Sequence, residues 1–246
     1  MTTAPIIPPP FREVEPDGTL RLNFHPGQTR AWESEARFVY MISGTQGGKT
    51  CFAPHWMHRE ITSRGPGDYI AVTATFPLLK LKMLPEYLYV FDSLLKLGVW
   101  READKVFTSH DTYHGSPAWR LVFGSATNPE SIESATALAA HMDECGQVQF
   151  KRQSYEAILR RLSLAQGRIL GTTTPYIMGW LKHEVVDRWR AGDPDYDVIQ
   201  GSSLWNPAFP REEYERAQLS LPPWKFQMFY EGQFERPAGS IYDCFD

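Results

Sequence analysis

Ser43-Gly44-Thr45-Gln46-Gly47-Gly48-Lys49-Thr50 is a glycine-rich segment that closes on a lysine and a hydroxyl. The apolar run Phe38-Val39-Tyr40-Met41-Ile42 leads into it. The run reads as a buried strand, the glycines as a loop, and Lys49 as the start of a helix. A loop of this kind turns backbone N–H groups toward an anion, and the helix N-terminus adds partial positive charge. The matching chemistry is that of a nucleoside triphosphate, with Lys49 reaching the outer phosphates and the Thr50 hydroxyl sitting on Mg²⁺. Ser43 stands where the P-loop pattern has its first glycine. Serine is small and compatible with a turn, so the loop can still close. Taken alone, the segment also fits an ordinary strand-to-helix turn with a surface lysine.

Hydrolysis needs a second, acidic site to hold the metal and orient water. Asp143-Glu144 supplies it, at the end of a strand over Ala137–Met142. Carboxylates at the C-terminal end of a parallel strand lie where ligands bind in such sheets. Asp143 is expected to hold Mg²⁺ and Glu144 to polarise the attacking water. Thr172-Thr173-Thr174 follows the next strand and is kept extended by Pro175. Its hydroxyls are placed to sense the γ-phosphate and couple hydrolysis to movement; a polar turn is the alternative. Gln28 precedes the P-loop strand. Its carboxamide offers a donor and an acceptor together, which suits the edge of adenine; a surface glutamine is the plainer reading.

The elements that must position these groups alternate. Strands are expected at about 37–43, 68–74, 119–123, 137–142, 168–172 and 197–201. Helices are expected at about 49–63, between Phe76 and Leu97 with a break at Pro85, and at 152–165, 179–190 and 211–231 with a break at Pro222-Pro223. A short helix runs through Trp32. This alternation predicts an α/β fold of the P-loop NTPase type, a mostly parallel sheet flanked by helices in one domain. Residues 1–20, with Ile6-Ile7-Pro8-Pro9-Pro10, read as an extended or mobile arm.

Composition sets outer limits. The chain has 246 residues, 42% hydrophobic and 22% charged, enough to fill a globular core. No apolar run reaches membrane-spanning length and no signal-peptide pattern is present, so no membrane partner is expected. Cys51, Cys145 and Cys244 are odd in number and far apart, which argues against a disulfide framework or a zinc site and for a reducing compartment. A net charge of −4 does not advertise a nucleic-acid binder, although the sum hides local distribution.

In this order, the Gln28 segment, Ser43 to Thr50, Asp143-Glu144 and Thr172-Thr173-Thr174-Pro175 resemble the ATPase domain of the large terminase subunit of tailed bacteriophages. Trp205-Asn206-Pro207, Tyr230-Glu231-Gly232-Gln233-Phe234 and Gly239-Ser240-Ile241-Tyr242 are similar to that family as well. The resemblance implies a RecA-like (ASCE) fold and ATP with Mg²⁺ as cofactors. It implies a motor that drives double-stranded DNA into a procapsid in the host cell cytoplasm. Its partners would be the portal protein and the small terminase subunit, and it would work as a homo-oligomeric ring. It also implies a C-terminal RNase H-like nuclease, which needs several carboxylates on adjacent strands. Only Asp243 and Asp246 close the chain. The expectation is therefore an ATPase domain over 21–236, the start of a linker over 237–246, and no nuclease activity.

Two positions depart from the family pattern. Thr45 stands where many members carry an arginine within the P-loop. Ile132-Glu133-Ser134-Ala135 lacks the arginine that some members place before the acidic pair. Arg120, Arg152, Arg160 and Arg161 are the candidates for an arginine finger, with solvated surface charges as the alternative. The basic residues from Lys151 to Arg190, including Arg168, Lys182 and Arg188, are candidate phosphate contacts for DNA. The same residues also fit a charged face balanced by Glu156, Glu184 and Asp187. Two further functions stay open on the sequence: a helicase-like ATPase, and a nucleotide-binding assembly module in which ATP is structural.

Overall fold

A computed structural model describes residues 9–128 and 136–236. The chain enters through a hairpin, β1 (Arg12–Val14) and β2 (Leu20–Leu22), then helix α1 (Pro26–Glu33). Strand β3 (Phe38–Ser43) passes through the glycine loop into α2 (Lys49–Arg64), and β4 (Gly67–Thr73) follows. Residues 76–94 form helix α3. Next come β5 (Gly98–Arg101), β6 (Val106–Ser109), a small ribbon of β7 (Thr112–Tyr113) and β8 (Ser116–Pro117), and β9 (Trp119–Ser125). The second half runs β10 (Ala137–Asp143), α4 (Arg152–Leu162), β11 (Arg168–Thr173), helical residues 182–190 as α5, and β12 (Tyr196–Gly201). Helices α6 (Arg211–Ser220) and α7 (Pro223–Glu231) close the described chain.

Among the described residues the main sheet has eight strands in the order β12-β3-β11-β10-β4-β9-β6-β5. The strands from β12 to β9 are parallel, and β6 and β5 extend the edge antiparallel. This is the mostly parallel α/β sheet that the alternation predicts. The loops after β3, β10 and β11 therefore emerge at one end, which is the end that carries the candidate site.

Burial on both faces explains why these strands read as nearly continuous apolar runs. In β3, Val39 and Met41 pack with Phe52, Trp56 and Met57 of α2 and with Leu79, Met83 and Tyr87 of α3. Phe38, Tyr40 and Ile42 point the other way, into a cluster with Tyr155 and Ile158 of α4 and Val185 of α5. The two-residue period divides the core into two layers. Each large side chain fully buried this way contributes about 1.5–3 kcal/mol. The alanines of β10 (Ala137, Ala139 and Ala140, all fully buried) make it a weakly apolar run in sequence, yet it is central in the sheet.

Three local differences from expectation have physical causes. The antiparallel β5–β6 pair falls in a stretch where no strand is expected. Its strands are short and lie at the sheet edge, where alternation is weak. Pro85 does not break its helix. Wider π-helical turns at Leu79–Met83 and Tyr89–Leu94 flank the α-helical turn Leu84–Leu88, and they accommodate the missing N–H. The expected arm is described from residue 9 onward, and there it folds back as the β1–β2 hairpin. Arg12 clamps that hairpin to the core, donating from Nε to His55 Nε2 at 2.7 Å and from Nη2 to the Cys51 carbonyl at 2.9 Å and to Glu86 at 2.8 Å. Ile132–Ala135, the Gly239–Tyr242 segment, Asp243, Cys244 and Asp246 lie outside the described residues. Cys51 and Cys145 are free thiols. Among the described residues, no helix is long and apolar enough to cross a membrane.

Candidate active site

Each backbone carbonyl from Ser43 to Gly48 is held by a side chain. The Lys49 ammonium donates to the Ser43 carbonyl at 3.0 Å, the Gly44 carbonyl at 2.8 Å and the Ser43 hydroxyl at 3.1 Å. Ser203 Oγ donates to the Thr45 carbonyl and Asn206 Nδ2 to that of Gln46, both at 2.7 Å. The Gly47 carbonyl takes His25 Nε2 at 3.0 Å, and the Gly48 carbonyl takes Gln28 Nε2 at 2.9 Å. Among the described residues, the N–H groups of Gln46, Gly47 and Gly48 have no protein acceptor. A loop whose carbonyls are all engaged leaves its amides for an anion, and these amides lead into the N-terminus of α2.

Local sequence dictates this shape. Gly48 has φ +73° and caps α2 from the left-handed region, which costs a glycine little. A Cβ on Gly44 would lie 2.2 Å from the Tyr230 carbonyl oxygen, so only glycine fits between the loop and α7. Ser43, in place of the pattern's first glycine, supplies a hydroxyl that accepts from Lys49.

Gln28 is buried, and its carboxamide is used at both ends. Nε2 goes to the Gly48 carbonyl and Oε1 accepts the His25 N–H at 3.1 Å. It braces the loop, whereas the sequence suggests a reader of an adenine edge. His25 is the partner that sequence reasoning missed. Its Nδ1 accepts from the Gly27 and Gln28 amides as the N-cap of α1, so Nε2 carries the proton donated to Gly47. Both residues also line a cavity of about 600 Å³ with Phe11, Asn23, Asn206 and Pro207.

A second cavity, about 570 Å³, is lined by Thr45 to Cys51, by Leu81, Lys82, Pro85 and Glu86 of α3, and by Glu144, Thr174 and Tyr176. The glycine loop, Glu144 and the threonine segment thus meet at one place. Glu144 takes φ +53°, a conformation that costs a non-glycine residue on the order of 1–3 kcal/mol. Its Oε2 accepts from the Tyr176 hydroxyl at 3.1 Å. Burial raises the proton affinity of Glu144, and the neighbouring Asp143 charge raises it further. Asp143 is buried and likewise shifted upward by desolvation, against the pull of its bond from Thr172. Lys49 is pushed down to about 8 by burial, with Glu144 and Asp143 opposing the shift.

Each threonine binds a different part. Thr172 Oγ1 donates to Asp143 Oδ1 at 2.7 Å. Thr173 Oγ1 accepts the Gly146 N–H at 3.0 Å, in the loop after the acidic pair. Thr174 Oγ1 lies 3.4 Å from the Lys49 ammonium. Behind Thr172 runs a buried chain unseen in the sequence. Because the Thr172 proton goes to Asp143, His141 Nε2 must donate to Thr172 Oγ1, at 2.8 Å. His141 Nδ1 then accepts from the Tyr87 hydroxyl of α3 at 3.0 Å. Desolvation lowers His141 to about 3, so it is neutral, as this directionality requires. A histidine in an otherwise small, apolar strand was the available signal.

The oxygen donors suit Mg²⁺: the Thr50 hydroxyl lines the cavity, and the Asp143 carboxylate is next to Glu144. Among the described residues no three His, Cys, Asp or Glu side chains gather as a metal cage. That pattern fits an ion carried mainly by substrate phosphates and water.

None of the four candidate arginines lines the 570 Å³ cavity. Arg120 forms a two-pronged bond to Asp68 at 2.7 and 2.6 Å, between the starts of β4 and β9. Arg152 pairs with Glu156 at 3.2 Å and Glu184 at 3.1 Å. Arg160 and Arg161 lie in the last turn of α4. Of the basic residues read as DNA contacts, Arg168 is committed to Glu60 at 2.7 Å and to the Ser34 and Ala36 carbonyls, so it serves the fold. Lys182 pairs with Asp187.

No family model matches the sequence. The chain is 27% identical over 137 residues to the terminase large subunits of Thermus phage G20c and Thermus virus P23-45. That match covers 50% of this chain and 28% of each relative, so the chain spans under a third of their length. The fold superposes on the large terminase ATPase domain of Thermus phage P74-26 with a TM-score of 0.69 at 19% identity, over 87% of this chain and 94% of that one. The chain is thus similar to phage large terminase subunits over half of its sequence and in its fold. The large terminase of a second thermophilic bacteriophage gives a TM-score of 0.70 at 16% identity, over 91% of this chain and 57% of that one. The downstream segments that point to terminase in sequence have a physical role here. Asn206 and the turn around Ser203 hold the P-loop carbonyls, and the Phe229 carbonyl of α7 accepts the Thr45 N–H at 2.7 Å.

Proposed function

We propose that this chain is the ATPase motor domain of a DNA-packaging terminase, binding ATP with Mg²⁺ and hydrolysing it. One observation carries the reading: the free amides of the P-loop, Lys49 and Glu144 face a single cavity large enough for a triphosphate. Structures of the second thermophilic phage's large terminase with ADP and with ATP-γ-S add support.

In this reading the P-loop amides hold the β- and γ-phosphates, and Lys49 leaves its contacts on Ser43 and Gly44 for phosphate oxygens. Thr50 and Asp143 hold Mg²⁺, which when bound neutralises charge on those oxygens. A water oxygen forms the new bond to the γ-phosphorus, and the bond to the bridging oxygen of ADP breaks. Glu144 orients that water and takes its proton, a task suited to its raised proton affinity. The products are ADP and phosphate. Thr172 to Thr174 link Asp143, the Gly146 loop and Lys49, so loss of the γ-phosphate is felt at all three.

The chain would act as a homo-oligomeric ring on the portal protein, with the small terminase subunit, moving double-stranded DNA in the host cell cytoplasm. Sequence-independent translocation needs only backbone phosphate contacts. Steady-state ATPase assays of Lys49→Ala and Glu144→Ala test the chemistry. Both are expected to lose turnover by about 10²-fold or more. Unchanged turnover in both would overturn the assignment.

A further inference from the structure

The cavity holds a cation that neither the P-loop pattern nor the arginine candidates account for. Part of its wall is α3, which presents Leu81, Lys82, Pro85 and Glu86. Glu86 is taken by Arg12 at 2.8 Å. Lys80, on the same helix, lies 3.9 Å from Glu102. Lys82 is exposed and, among the described residues, has no ion-pair partner. Leu79 and Met83 are buried and anchor the other side of the helix in the core. The segment Leu79–Met83 is a π-helical turn, a widening that re-aims side chains and recurs at functional sites.

We propose that Lys82 is a second phosphate-contacting cation of this site, reaching the γ-phosphate from α3 within the same chain and supplying the charge that an arginine finger gives elsewhere. The inference rests on the ATPase reading above. Lys82 lies close enough that its charge is felt at Lys49, Asp143 and Glu144. Without a ligand, two lysines facing one cavity repel each other. A triphosphate between them turns that repulsion into attraction to a shared anion. The lysine stem is flexible and its ammonium has three donors, so it can follow charge as it spreads over the equatorial γ-oxygens. Lys49 is held in the cradle by Ser43 and Gly44, whereas Lys82 is exposed and lines the cavity from α3.

The test compares Lys82→Ala and Lys82→Arg with wild type and Lys49→Ala, using the full chain. Turnover is read with Mg²⁺·ATP, and affinities for ATP-γ-S and ADP are read by calorimetry. Lys82→Ala is expected to lower kcat by about 10–10²-fold. It should weaken ATP-γ-S several-fold more than ADP, which lacks the γ-phosphate. Lys82→Arg should restore most of both. An unchanged kcat together with an unchanged ATP-γ-S to ADP affinity ratio in Lys82→Ala overturns the inference. Turnover that rises with protein concentration and ignores Lys82→Ala would place the cation on a neighbouring copy and also overturn it. If Lys49→Ala is silent as well, the ATPase reading itself has failed; if only Lys82→Ala is silent, this inference alone falls.

Discussion

Buried charge is handled in opposite ways at the two ends of the parallel sheet. Where β11 begins, Glu60 of α2 is 1% exposed and receives Arg59 at 3.0 Å, Arg64 at 3.0 Å and Arg168 at 2.7 Å. Each of the three guanidiniums bonds the one buried carboxylate, and the cluster ties α2 to the sheet. Where β3, β10 and β11 end, Lys49 is 7% exposed and bonds mainly to neutral oxygens, while Asp143 and Glu144 sit side by side. Desolvation pushes all three toward their neutral forms. At one end every cation of the cluster meets a carboxylate. The other is electrostatically unfinished, and a polyanion with a divalent cation would finish it.

If that contrast is right, mutations at the two ends should separate activity from stability. The largest effect is expected from Lys49→Ala: ATPase falls by about 10²–10³-fold, while the melting temperature of the nucleotide-free protein holds or rises because a buried charge is removed. A large fall in melting temperature would show that Lys49 serves the fold. At the opposite end, Glu60→Ala should cost about 3 kcal/mol of stability by leaving three arginines without their carboxylate, measured by denaturant unfolding. Turnover per folded molecule should persist below the new midpoint, and its collapse would erase the contrast.

A third test uses pH. Lys49 binds its proton less tightly folded, at about 8, than unfolded, at the ordinary lysine value of 10.5. Between those values the unfolded chain holds more protons, so this group makes stability rise with pH across the window. The difference in stability between wild type and Lys49→Met should show that rise, and a flat difference contradicts it. Asp143 and Glu144 have the opposite sign. Their raised folded values make stability fall as pH climbs from the ordinary carboxylate range through those values. The smallest effect is expected from Tyr87→Phe, which removes the donor to His141 and costs about 1 kcal/mol. Nitrogen NMR of His141 should show the Nε2–H tautomer in wild type; the Nδ1–H tautomer would break the chain to Asp143.

The same contrast explains what the sequence reveals. Ser43 to Thr50, Asp143-Glu144 and the three threonines are legible because their chemistry sits in short contiguous segments at strand ends. The parallel sheet is legible because burial on both faces leaves long apolar runs. The braces are not. His25 reaches Gly47, Asn206 reaches Gln46 and Tyr87 reaches His141 across long stretches of chain, and no local pattern announces such pairs. Gln28 stands out in the sequence, but as a group facing a base; only the structure shows both ends of its carboxamide in use. The β5–β6 edge is hidden by its short strands. Glu60, inside an ordinary helical run, gives no sign of its burial.

The decisive experiment is a structure of the chain with Mg²⁺ and a non-hydrolysable ATP analogue. The triphosphate should lie along the Gln46 to Thr50 amides, with Lys49 moved off the Ser43 and Gly44 carbonyls onto phosphate oxygens and the γ-phosphate facing Glu144. An analogue bound elsewhere, or bound with Lys49 still folded onto its own loop and Glu144 turned away, would refute the reading of this end of the sheet as a triphosphate site.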